Sequence, residues 1–97
     1  MTFDEFKASL NQTTPPADLN PLLLALWQDA QGNWDMAHRL TQAVDDADGA
    51  WVHAYLHRKE GDLANAGYWY SRARQPFFQH SLKQEWEVIA SALLLKA

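Results

Sequence analysis

The sequence predicts an all-α fold of stacked antiparallel helical hairpins with flanking N- and C-terminal helices. Three observations carry that prediction. Apolar residues recur at spacings of three and four, and no stretch alternates apolar with polar residues as a half-buried strand would. Gly32 and Gly61 each fall between two helix-forming runs and are followed by a capping residue, Asn33 and Asp62. These two breaks lie 29 residues apart, and aligning them superimposes Ala25 on Ala54, Ala37 on Ala66 and Val44 on Ala73. With 97 residues the chain makes one domain, 1–97, with one modest core.

The elements follow in order. Thr2 to Glu5 has the form of a capping box, which starts a short helix from Phe3 to Leu10. The loop from Asn11 to Asp18 holds Pro15 and Pro16, which no helix interior accepts. Asn20-Pro21 starts the next helix, which reaches Gln31 and is apolar almost all round at Leu22, Leu23, Leu24, Leu26 and Trp27. After Gly32, Asn33 caps a helix from Trp34 to Asp45 with Met36, Ala37, Leu40 and Val44 inside. Asp45 to Gly49 forms a tight acidic turn, and Asp48 is expected to cap a helix from Ala50 to Glu60.

Gly61 closes that helix and Asp62 caps Leu63 to Arg74, whose stripe is Leu63, Ala66, Trp69, Tyr70 and Ala73. Beside this stripe lie Ala64, Gly67 and Ser71. Gly67 costs about 1 kcal/mol of helix propensity relative to alanine, so a close approach of another backbone is expected there. Pro76 marks a turn, and Ser81 to Gln84 is a second capping box. Leu82, Trp86, Ile89 and Leu93 then form one stripe of a last helix.

Composition excludes several function classes. The formal net charge is −4, with 8 Lys plus Arg against 12 Asp plus Glu, and no basic face suited to nucleic acid is visible. There are no cysteines, hence no disulfide, thiolate nucleophile or cysteine-rich zinc site. The acidic start MTFDEFKASL lacks the apolar run of a signal peptide. The longest apolar run, Leu22 to Trp27, is far too short for a membrane span. A cytoplasmic protein without membrane attachment is expected.

The hairpin Trp51 to Ala73 resembles the tetratricopeptide repeat. The matching residues are Ala54 in the first helix, Gly61-Asp62 at the turn, and Ala66, Tyr70 and Ala73 in the second helix, with Trp51 near the aromatic that opens the motif. The likeness extends from Asn20 to Pro76, with a period of 29 where the family has 34 and two units where three are usual. The same segment is similar to ones in small bacterial proteins. The resemblance implies a groove lined by first helices that takes an extended peptide, unless the terminal helices fill it and nothing binds there. Its residues here would be Leu22, Leu26 and Asp29 from one hairpin and Trp51, Tyr55 and Arg58 from the next. The expected function is therefore a protein or peptide interaction module, with a second copy of the chain as one possible partner.

Two further readings bear on α-helical register and chemistry. Simple amphipathicity turns Trp51 and Tyr55 into the core and His53, His57 and Glu60 outward; the repeat register does the reverse. His53 and His57 have the spacing of the two ligands in a zinc HExxH helix, but Ala54-Tyr55-Leu56 between them provides no glutamate base. The alternative function is a metal- or small-ligand-dependent enzyme using His53, His57 and Glu60, with His38 as a distant fourth candidate. The primary reading assigns no metal and no cofactor. The aromatic set Trp51, Tyr55, Tyr68, Trp69 and Tyr70 is read either as core or as a partner hot spot.

Overall fold

A computed structural model describes all residues, 1–97. It contains six helices and no strand: α1 (Phe3–Ser9), α2 (Pro21–Ala30), α3 (Trp34–Gln42), α4 (Ala47–Glu60), α5 (Leu63–Ala73) and α6 (Leu82–Lys96). Consecutive helices from α2 to α5 pack on one another, and α6 returns to lie against α1, α2 and α4. Helix α4 is the hub, touching α2, α3, α5 and α6.

Local chemistry accounts for most helix ends. Both capping boxes form, Thr2 with Glu5 and Ser81 with Gln84. Asn20 accepts from the Leu23 amide, with Pro21 in the first turn. Gly32 and Gly61 take left-handed φ values of 87° and 90°, which only glycine adopts without strain. Two caps differ from expectation. Asn33 holds the N-cap position of α3, but its side chain donates to Gln28 Oε1 and caps nothing. Helix α4 starts three residues earlier than expected, because Asp46 accepts from the Gly49 amide at 2.8 Å. Asp48 instead receives Lys96 from the end of α6.

The early start of α4 depends on Gly49. A Cβ there would sit 2.0 Å from the Val44 carbonyl oxygen, so the α3–α4 link packs where a side chain would stand. The expected close approach at Gly67 is absent: a Cβ built there meets nothing within 4 Å. Gly67→Ala should therefore stabilise the protein by up to about 1 kcal/mol, through helix propensity alone. Chemical denaturation checks this; an unchanged or lower midpoint would mean the glycine is used in a way the backbone geometry does not reveal.

The main core joins α1, α2, α4 and α6 through Phe6, Leu23, Leu26, Trp27, Leu56, Trp86, Ile89 and Leu93, with Ala37 from α3. Phe6 stacks on Trp86 at 5.7 Å between centroids, and Trp86 Nε1 donates to the Leu26 carbonyl at 2.9 Å. A smaller cluster of Ala54, Ala66 and Tyr70 joins α4 to α5, closed by Phe77 and Phe78 of the following loop. Met36 and Leu63, expected inside, are exposed. In α3 the inward face runs through Ala37 and Thr41, which rotates Met36 to water.

The two registers proposed for α4 both prove partly right. From Val52 to His57 every residue is buried. Tyr55 faces α2 and α6, while His53 and His57 face α3 and α5. A helix packed on four sides has no polar stripe, so amphipathic reasoning had no correct answer to find.

Candidate functional site

The residues expected to line a groove are brought together, but under α6. Leu22, Leu26 and Tyr55 are buried in one cluster with Trp86, Ile89 and Leu93. Trp51 is half-buried between the two cores. Arg58 donates to Glu85 Oε1 of α6 at 2.9 Å and to the His80 carbonyl, with its guanidinium 5.6 Å from the Phe78 ring centre. The sequence left open whether this groove is free or filled by a terminal helix; in the structure the last helix, α6, lies on that face. Its apolar stripe needed a surface, and Leu22 and Leu26 supplied one.

Two buried carboxylates tie this region together. Asp29 accepts from the Tyr55 hydroxyl at 2.6 Å and from Lys59 at 2.9 Å. Glu85, fully buried, accepts from Arg58 and from the Tyr70 hydroxyl. Burial, with the neighbouring carboxylate, pushes both phenols well above the ordinary tyrosine range. Burial pushes the Glu85 carboxyl up, against the opposing bonds from Tyr70 and Arg58. No buried side-chain nitrogen or oxygen lacks a partner, so this network is closed.

The opposite face of α4 holds a different constellation. His53 and His57, four residues apart, stack with ring centres 5.0 Å apart. His38 of α3 stands across them, at 4.8 Å from His53 and 5.2 Å from His57. His38 Nε2 and His53 Nε2 are 3.0 Å apart. One ligand nitrogen from each of the three rings lies within 4.8 Å of the other two. Tetrahedral zinc, with Zn–N near 2.0–2.1 Å, separates its nitrogens by about 3.3 Å, so small ring movements would close the set around one ion.

The surroundings fix these rings. The Trp34 indole stacks on His38 at 4.8 Å and is itself anchored by donating to the Leu56 carbonyl. The Trp69 indole stacks on His53 at 3.9 Å, with the Arg72 guanidinium 5.0 Å from the indole centre. His57 Nδ1 pairs with Glu60 Oε1 at 2.6 Å, which places the proton on Nδ1 and leaves Nε2 as the nitrogen with a free lone pair. Carboxylate-bound histidine is the usual support behind a metal-bound imidazole. Asn65 Nδ2 lies 3.5 Å from His57 Nε2.

Electrostatics favour the neutral form of His53 and His38. Burial first, then the neighbouring His38, His57 and Arg72, lower the His53 pKa to about 4. Burial and His57 lower that of His38. A surface hollow of about 350 Å³ is lined by Asp45, Asp46, His53 and Trp69.

Of the alternative ligand set, His53 and His57 come together with His38, while Glu60 pairs with His57 Nδ1 and lies in a second, more exposed group with His57 and Asp62. Sequence reasoning treated His38 as remote because it lies on another helix. The available signal was the hairpin alignment itself, which puts the second helix of one hairpin against the first helix of the next. Comparison of the chain with protein-family models, curated proteins and solved structures returns no match.

Proposed function

We propose that this protein is a small helical metal-binding domain in which His38, His53 and His57 hold one divalent transition-metal ion. The observation that carries the reading is the convergence of three ring nitrogens, from two helices, within 4.8 Å. Imidazole ligands suit zinc, copper, nickel and iron, and the absence of cysteine sets the site apart from thiolate-rich structural zinc. Three protein ligands leave a coordination position free, as in sites that exchange a ligand with solvent. Glu60 would raise the basicity of His57 and hold its ring in place. We also read the α2–α3 and α4–α5 hairpins as tetratricopeptide-like units; the matching left-handed glycines at their turns support this.

The test is zinc uptake followed by native mass spectrometry and calorimetry. Wild type should bind one equivalent. Glu60→Gln should weaken binding about 10–100-fold, the usual cost of losing an outer partner of a ligating histidine. His38→Ala, at a half-exposed position, should weaken it at least as much while the circular dichroism spectrum stays helical. No uptake by wild type, or equal uptake by wild type and His38→Ala, would overturn the reading.

A further inference from the structure

A cleft lies on the other side of α4 from the histidines. It is open, has a volume of about 300 Å³ and runs between α1, α2, α4 and α6. Its volume falls at the lower end of the range of small-molecule sites. Leu10, Ala30, Leu82 and Trp86 make its apolar walls, and Tyr55 lies at its base. Lys7, Lys59 and Lys83 stand around it with Asp29 and Glu87.

The charges do not cancel. Asp29 is taken by Tyr55 and Lys59, and Glu87 by Lys7. Lys83 makes no ion pair, though its charge acts on Glu87 one turn along α6, so among the lining residues three lysines face two acids and the net charge is one positive. Lys59 uses one N–H on Asp29 Oδ1, and an ammonium carries three, so two remain without a protein partner. The Lys59 side chain is about one-third exposed, so those donors are within reach of a ligand. An apolar trough with one surplus cation is complementary to a molecule with an apolar body and a single negative charge. We infer that this cleft binds a small organic monocarboxylate, its chain or ring against Trp86 and Leu82 and its carboxylate between Lys59 and Lys83.

The probe is octanoate, with octylamine as the charge-reversed control, each titrated into nitrogen-15-labelled full-length protein. Octanoate should move amide resonances around the cleft, notably those of Ala30, Leu82 and Lys83, in a saturable way, and octylamine should not. Lys83→Glu should weaken octanoate binding about fivefold or more, the scale of a solvent-screened ion pair together with its reversal. Ala30→Trp, which fills the cleft from an exposed position without removing a contact, should abolish saturable binding. Failure of octanoate to bind, equal response to octylamine, or unchanged affinity in either variant would overturn the inference.

Discussion

Trp86→Ala is expected to lower the free energy of unfolding by about 3–5 kcal/mol, the range for truncating a large buried aromatic. The indole is the main link between α6 and the rest of the chain. It stacks on Phe6, meets Phe3 edge-on at 6.4 Å, and donates to the Leu26 carbonyl of α2. Its loss opens a cavity beneath α1 and α6 together, and neither short α1 nor the loop after it can collapse into that space unaided. Urea denaturation measures the effect. A midpoint equal to that of wild type would show that α6 does not depend on this contact.

Arg58→Ala should cost a similar amount, about 3–5 kcal/mol, because it strands the fully buried Glu85 carboxylate without its cation. The sequence reading placed Arg58 in a binding groove, where its loss would change partner binding and leave stability unaltered. The pH dependence separates the two views. Burial raises the Glu85 carboxyl above its unfolded value, while Tyr70 and Arg58 oppose the rise. A carboxyl with a raised folded pKa binds more protons folded than unfolded. Its contribution is therefore full below the unfolded pKa and is lost as pH rises through the folded one. Removing Arg58 takes away a lowering influence and widens that window; Tyr70 remains as donor, and nearby Tyr55 stays neutral. The variant's deficit should be largest near neutrality and shrink as pH falls toward about 4, where an ordinary glutamate protonates. A deficit independent of pH would show that charge burial is not its cause.

The local grammar of the fold was legible. Capping boxes, the Asn20-Pro21 start and the two glycine breaks depend on residues within a few positions of one another, and they fall where the sequence places them. What failed was long-range. Asp46 and Asp48 are both plausible caps by residue type, and the choice rests on how Gly49 packs against Val44. The stripe Leu82, Trp86, Ile89 and Leu93 signalled a buried face but not the surface it would cover, so the residues of an expected groove became core. Glu85 lies on that same stripe, three residues after Leu82, and a charge in such a place was itself a sign of a buried pair. In the sequence the histidine cluster showed as the His53–His57 pair with His38 only a distant candidate, because His38 enters through the packing of α3 on α4.

The central claim, that His38, His53 and His57 share one metal ion, is tested most directly by the ring nitrogen-15 spectrum of the four histidines, recorded before and after one equivalent of zinc. His80 lies outside the cluster and is exposed, which makes it an internal control. One ring nitrogen each of His38, His53 and His57 should move to the position of metal-bound imidazole, with His57 Nδ1 keeping its proton toward Glu60 and His80 unchanged. A spectrum in which His80 alone responds, or in which none of the three moves, would contradict the claim.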